Sequence, residues 1–235
     1  MYNEMSLIRK IHNLFHPAMG KVLMLHRVVE HIGPQPEASS LEVTAGFFAE
    51  SLDAMLKQGV VFISVAQIAK RLESRNKNTF VCLTFDDGYL DNYTLAYPIL
   101  KERQIPFCVY MTRDYYRGVL KPQWNPTVEM MDVNQLLELS SDTLCTIGVH
   151  TCTHPHLSRL SVEGQYREIN ECKTDLEQLI GKTVRHMAYP HGDYNQETLR
   201  IVRDLGIETA VTTSGCQVRD DSSLLELDRV FFLQS

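Results

Sequence analysis

Hydrophobic residues recur along the chain with two alternating periods. Short apolar runs of strand length are followed repeatedly by longer segments in which apolar residues stand three or four positions apart. Runs of the first kind are typical of buried strands, and segments of the second kind are typical of amphipathic helices. Strands are predicted near 22–25, 60–63, 81–85, 105–111, 146–149, 184–188 and 208–212, and helices near 44–58, 64–72, 91–101, 132–139, 161–180 and 196–205.

The order strand then helix, repeated about seven times, predicts parallel strands wrapped by helices. Such a sheet closes, or nearly closes, into a barrel. The aperiodic segment 30–44 is predicted to be a loop that borders a cleft. Segment 113–131 is also long and irregular, and it holds the only tryptophan, Trp124. Long loops of this kind are often functional.

Two adjacent carboxylates stand at the end of the predicted central strand. The apolar run 81–85 stops at Asp86 and Asp87, which Gly88 follows. Carboxyl ends of strands in α/β folds open into ligand-binding loops, so both acids are site candidates. An Asp-Asp-Gly turn that caps a helix explains the same residues without any site.

A pair of histidines follows another predicted strand. The run 146–149 ends at His150 and His154, whose spacing allows both rings to face one point. A histidine pair alone is more often an ordinary polar loop. Together with one carboxylate, however, it forms a three-ligand set that leaves a coordination position open, as catalytic metal sites do. Zinc is the first choice, and cobalt, nickel or iron also suit these ligands.

These two motifs, with the segment 188–194, resemble those of the polysaccharide deacetylases of carbohydrate esterase family 4, also called the NodB-homology family. The resemblance covers roughly residues 22–231. It implies a distorted (β/α)7-type barrel, and we expect residues 1–235 to form a single catalytic domain. It also implies that Asp86 is the catalytic base, that Asp87, His150 and His154 bind a divalent metal ion, and that Thr151 supports these ligands.

The general acid implied by the resemblance comes from an early strand. Many family members end with an L-x-H motif whose histidine protonates the leaving amine, and segment 228–233 contains none. A circularly permuted branch, which includes bacterial poly-N-acetylglucosamine deacetylases, has this histidine before the paired acids. The stretch 24–26 is similar, and it makes His26 the candidate acid, although a lone histidine after a strand is usually only a loop residue.

The third motif departs from the family pattern. Most members have R-x-P-[FY]-G, with an arginine that orients the catalytic aspartate; here Ala188 stands at the arginine position. His191 replaces the aromatic residue, and its backbone N–H can still stabilise an oxyanion. Arg229 is either a substitute orienting charge or a surface arginine without a role. The side chains expected to contact substrate or to support the site are therefore Thr151, Tyr189, Pro190, Tyr89, Trp124 and Arg229.

Composition excludes several other classes of protein. A net charge of −6 over 235 residues argues against a general nucleic-acid binder. Six cysteines without a C-x-x-C pair indicate reduced thiols in a cytoplasmic protein. There is no secretory signal pattern and no apolar run long enough to span a membrane. Residues 7–15 show helical periodicity, which indicates core packing or, alternatively, peripheral contact with a membrane.

The sequence thus predicts a metal-dependent hydrolase that removes acetyl groups from N-acetylated amino sugars of a cell-surface glycan or its precursor. The aromatic residues of segment 113–131 either stack on a sugar ring or simply pack. Three alternatives remain: an amidohydrolase that acts on a small non-sugar amide, an iron oxygenase with the same ligands, and a metal-bound but inactive glycan-binding protein.

Overall fold

The computed structural model describes residues 18–34, 41–74 and 79–234, and in them a curved parallel sheet surrounded by helices. Six strands lie side by side in the order β1, β5, β6, β7, β8, β9, and each is parallel to its neighbour. Their bounds are Ala18–Leu25, Phe80–Phe85, Phe107–Met111, Cys145–Val149, His186–Ala188 and Thr209–Val211. The predicted α/β class, with parallel strands enclosed by helices, is confirmed.

Helices connect successive strands and cover the outer face of the sheet. The longest, α6, begins after Ser161, whose side chain accepts a hydrogen bond from the Gly164 N–H, and ends at Gly181 in the left-handed conformation. A π-helical turn, Asn92–Ala96, follows the paired acids. The α-helices are α1 Ala45–Lys57, α2 Ile68–Glu73, α3 Tyr97–Glu102, α4 Arg113–Tyr116, α5 Val133–Ser141, α6 Val162–Ile180 and α7 Gln196–Asp204.

The last described strand joins the two edges of the curved sheet. Strand β11 (Arg229–Phe231) lies parallel to β1. Just before it, Leu227 exchanges backbone hydrogen bonds with residues 210 and 212, at β9. The segment 227–231 therefore connects β9 to β1. The sequence pattern did not predict β11, because the strand has only three residues and begins with a buried arginine.

Alternation along the strands separates an inner from an outer face of the sheet. In β5, Cys82 belongs to the cluster inside the curved sheet, whereas Leu83 and Phe85 pack under the helices. The same period places Thr84 and Asp86 on the inner side. Polar groups thus reach the interior near the carboxyl ends of the strands, above an apolar base.

Several predicted elements differ in detail. The predicted loop 30–44 includes a short strand, β3 (Glu42–Thr44), which pairs with β2 (Arg27–Val29), and the irregular segment 113–131 begins with α4. The remaining short strands are β4 (Val61–Phe62) and β10 (Val218–Arg219), and β10 is antiparallel to β1. The predicted helix 7–15 lies outside the described residues. In the described ranges, none of the helices combines the length and the apolar character needed to cross a bilayer.

Gly148 permits close packing of β6, β7 and β8. A Cβ atom added there would lie 2.4 Å from the Tyr110 ring and 2.9 Å from the backbone oxygen of His186. We therefore expect Gly148→Ala to lower the free energy of unfolding by about 1–3 kcal/mol, measured by urea denaturation. Gly46, in α1, has nothing within 4 Å of such an atom. Gly46→Ala is the control and should raise stability by up to about 1 kcal/mol; equal effects would contradict this account.

Candidate active site

The carboxyl ends of neighbouring strands bring the predicted site residues together. His26 follows β1, Asp86 and Asp87 follow β5, His150 follows β7, and His191 lies just beyond β8. Because these strands run parallel in one sheet, their carboxyl ends lie at the same edge. Asp86, Asp87 and His150 are buried, and His191 is exposed.

Arg229 forms a two-pronged ion pair with Asp86. Its Nη1 and Nη2 donate to the two carboxylate oxygens at 2.7 and 2.6 Å. The remaining guanidinium donors reach the Thr84 hydroxyl at 3.1 Å and the Thr212 carbonyl at 2.8 Å. Arg229 is fully buried. The alternative that it is a surface arginine is therefore wrong, and its two hydrogen bonds to Asp86 fit the other interpretation, a substitute orienting charge.

The charge of Asp86 follows from this pairing. Burial alone would raise the pKa of Asp86, but the Arg229 guanidinium and the nearby His150 lower it below the ordinary value of 3.8. Asp86 is therefore ionised at neutral pH, in the form that accepts a proton.

Asp87, His150 and His154 form a cluster suited to a metal ion. One ligand atom from each lies within 4.8 Å of the others. Asp87 Oδ1 lies 3.6 Å from His150 Nε2 and 3.5 Å from His154 Nε2. This oxygen is buried and has no hydrogen-bond partner among the described residues. A divalent cation would satisfy it, so the residues present fit the predicted metal.

The ring orientation of His150 supports the same fit. Its Nδ1 lies 2.8 Å from the Ala188 carbonyl oxygen. A carbonyl only accepts hydrogen bonds, so the proton is on Nδ1 and the Nε2 lone pair faces the cluster. Ala188, at the position of the missing motif arginine, thus orients a candidate ligand through its backbone.

Left-handed backbone brings the ligands inward. Asp87, Thr151, His154 and His191 have φ values of 74°, 67°, 62° and 60°. Such values are uncommon outside glycine, and they cluster at functional sites. The Thr151 hydroxyl accepts the His154 N–H at 3.0 Å, which holds the turn between the two histidines.

His26 is half-buried beside these groups, and its backbone is tied to the π-helical turn. Its carbonyl accepts a 2.7 Å hydrogen bond from Asn92 Nδ2. The adjacent Arg27 pairs with Asp91 at 2.7 Å and with Glu42. Burial lowers the pKa of His26 below 6.5, although the nearby Asp86 and Asp87 oppose this effect.

The third motif is divided between the cleft and the core. His191 stacks on His156 with ring centres 4.0 Å apart, and its ring centre lies 4.5 Å from that of His154. In this turn the Gly192 N–H donates to the Tyr189 carbonyl and the Asp193 N–H donates to the Pro190 carbonyl. The His191 N–H takes part in neither of these two hydrogen bonds. Tyr189 and Pro190 are buried, and the Tyr189 hydroxyl donates to the Leu225 carbonyl. Neither Tyr189 nor Pro190 is among the described residues that line the cleft, and their burial fits the alternative that they support the site.

An open cleft of about 530 Å³ lies beside the cluster. Trp124 and Tyr115 line it, and Tyr115 stacks near His154. Tyr115 and Tyr116, the other two stacking candidates, are both buried, and the Tyr116 hydroxyl donates to Asp175. The full lining is Asp87, Tyr89, Tyr115, Leu120, Lys121, Pro122, Gln123, Trp124, Thr153, His154, Pro155, His156 and His191.

Sequence reasoning missed several supporting residues. Glu168, on α6, accepts hydrogen bonds from the N–H groups of Cys152 and Thr153 and so fixes the loop between the ligands. Asn92 and Arg27 secure the segment of His26. Glu168 resembles any exposed helical glutamate in the sequence, so no signal marked it. Asn92 stands six residues after Asp86 in the sequence, and this nearness was the one available indication that Asn92 supports the site.

Comparisons with known proteins find similar sequences and similar folds. A family model described as polysaccharide deacetylase matches residues 73–210. YxkH of Bacillus subtilis, whose description places it among the polysaccharide deacetylases, is 26% identical over 216 residues, covering 91% of this chain and 71% of YxkH. The structure of Streptococcus pyogenes deacetylase PplD in complex with acetate is similar, with TM-score 0.79, 27% identity, and coverage of 91% of this chain and 92% of PplD. IcaB from Ammonifex degensii gives TM-score 0.75 and 26% identity, covering 92% of each chain.

Removal of Arg229 should be strongly destabilising. Arg229→Met leaves the Asp86 carboxylate buried and unpaired, and we expect a loss of about 3–5 kcal/mol in urea denaturation at neutral pH. Arg185→Met is the control, because Arg185 pairs with Glu208 at the surface, and it should cost at most about 1 kcal/mol. Similar losses of unfolding free energy in both variants would show that the buried ion pair contributes no more stability than the surface pair.

Proposed function

Because the chain belongs to the polysaccharide deacetylase family, we propose that it is a metal-dependent hydrolase acting on N-acetylated amino sugars of a cell-surface glycan or its precursor. The observation that carries the proposal is the ionised Asp86, held by buried Arg229 beside the Asp87, His150 and His154 cluster. A proton acceptor adjacent to a candidate metal site is what hydrolysis of an amide requires.

Asp87, His150 and His154 would hold a divalent metal ion, and zinc is favoured by the donor set. Such an ion, when bound, polarises the acetyl carbonyl and lowers the pKa of a bound water from about 15.7 toward 7. The open cleft beside the three ligands leaves room for the acetamido group.

Asp86 would accept the proton of the attacking water. General base catalysis of this kind contributes roughly 10²–10⁴-fold. The Arg229 contacts hold both Asp86 oxygens in place and lower the pKa of this carboxyl group. Asp86 would therefore act as a weak base that is ionised at neutral pH.

His191 and His26 would act on the oxygen and on the nitrogen of the amide. The His191 N–H would donate a hydrogen bond to the oxygen of the tetrahedral intermediate. His26 would give a proton to the nitrogen as the C–N bond breaks, so that acetate and a free amine leave. The acetate held by the PplD neighbour is the product expected of this reaction.

The cleft suits a sugar chain. Trp124, which is partly exposed, offers an aromatic face at the cleft, and such faces pack against sugar rings. An acetamido sugar placed there would have its acetyl group near Asp87 and His154, which line the same cleft.

Substitution of the base and of a ligand should have different effects. Asp86→Asn should reduce acetate release from N-acetylglucosamine oligomers by at least about 10²-fold while zinc content persists. His150→Ala should remove both zinc and turnover. Metal analysis and acetate release, each measured on chelator-treated and zinc-reloaded protein, test both expectations.

The same experiment distinguishes the alternatives. Retained turnover in Asp86→Asn would remove Asp86 from the role of base. Wild-type protein that binds zinc and sugar but releases no acetate would identify an inactive glycan-binding protein. Turnover of small non-sugar amides alone would identify an amidohydrolase of another specificity.

The pH profile tests His26 as the acid. Only its imidazolium form can donate a proton, and burial lowers its pKa below 6.5, so kcat/KM should decline as pH rises above that pKa. The His26→Gln variant should be slower and should lack this limb. An unchanged alkaline limb in His26→Gln would contradict the assignment.

A further inference from the structure

We infer that Trp124 and Tyr89 form a hydrogen-bond relay that orients Asp87 as a ligand through one oxygen. This inference rests on the metal site of the proposed function. It adds that a residue of the cleft wall, Trp124, acts on the metal ligand through the buried Tyr89, and that Tyr89 and Trp124 are positioning residues.

The direction of the relay follows from its chemistry. Trp124 Nε1 donates to the Tyr89 hydroxyl at 3.0 Å, and that hydroxyl donates to Asp87 Oδ2 at 2.9 Å. An indole N–H can only donate, so the Tyr89 oxygen accepts from Trp124 and keeps its own proton for Asp87. The single hydroxyl proton of Tyr89 therefore points at Asp87, and each group has one possible role.

The relay assigns different tasks to the two Asp87 oxygens. Oδ2 is held by Tyr89, whereas the buried Oδ1 has no partner among the described residues and faces both histidines. If Oδ2 were free, the carboxylate could rotate about its last torsion, which is soft. With Oδ2 held, Oδ1 stays directed at the point between His150 and His154.

Packing around Tyr89 holds the middle group of the relay in place. Tyr89 is fully buried, and its ring lies edge-on to Trp124 with centres 6.4 Å apart. The surrounding backbone is paired as well: Leu90 N–H bonds to the Glu129 carbonyl and Met131 N–H to the Gly88 carbonyl. These bonds fasten the far end of the tryptophan-bearing segment directly to the loop that follows the paired acids.

The relay also determines what Trp124 can offer a ligand. Its one N–H is already used by Tyr89, so a sugar in the cleft meets the indole ring and not a hydrogen-bond donor. Trp124 therefore serves a ligand by stacking and serves Asp87 by hydrogen bonding.

Zinc affinity measured without substrate tests the relay. Chelator-stripped full-length protein is titrated with zinc in competition with a chromophoric chelator. We expect Tyr89→Phe to weaken zinc binding by about 10–100-fold, as loss of a group that orients a ligand does elsewhere. Trp124→Phe removes only the outer donor and should give a smaller loss. The visible spectrum of the cobalt-loaded Tyr89→Phe variant should also differ from that of the wild type, because Asp87 Oδ2 becomes free to bind the cobalt ion.

Tyr116→Phe is the matched control. Tyr116 is buried, and its hydroxyl also donates to a carboxylate, that of Asp175, away from the cleft. The Tyr116→Phe variant should lose about as much stability as Tyr89→Phe but should keep the zinc affinity of the wild type. Folded Tyr89→Phe with wild-type zinc affinity and cobalt spectrum would overturn the relay.

Failure of the relay and failure of the proposed function give different results. If zinc affinity falls in Tyr89→Phe but the wild type releases no acetate, the relay stands and the deacetylase activity does not. If the wild type binds neither zinc nor cobalt, the relay and the metal site are both wrong.

Discussion

The buried ion pair between Asp86 and Arg229 is the interaction on which the rest of the site depends. A carboxylate that is 2% exposed pays a large desolvation penalty, and a fully buried guanidinium pays another. Two short hydrogen bonds between them, with Thr84 and Thr212 taking the other donors, make both charges tolerable. The candidate metal ligand Asp87 is the next residue along the chain, so the geometry that fixes Asp86 also limits where Asp87 can lie.

Much of this site could be predicted from the sequence. The paired acids and the two histidines each follow a short apolar run, and parallel strands bring such ends together, so Asp87, His150 and His154 were found from local patterns. Arg229 was only one of two interpretations, because burial of an arginine 143 residues away from its partner is not written in the local sequence. The hydrogen bonds of Glu168 and Asn92 were not predicted for the same reason, since both depend on tertiary packing.

Elements with long, clear periods were predicted best. α6 has nineteen residues with a serine cap and a terminal glycine, and both ends were found within one residue. β3 and β11 have only three residues each, which is too short for an alternation of hydrophobic and polar residues to be recognised. Tyr189 was predicted either to contact substrate or to support the site, and the turn between it and His191 leaves Tyr189 buried.

Strand β11 has a consequence for how the protein is made. It supplies Arg229 and also joins β9 to β1, and a ribosome synthesises it after all the other described strands. Until it arrives, Asp86 faces the interior without its counter-charge, so the strands that precede it cannot hold the acid there in ionised form. Pairing across 143 residues is also slow, because a long loop must close before the contact forms. The ion pair that fixes Asp86 thus forms only when β11 docks, and proteolytic release of β11 would leave Asp86 without its counter-charge.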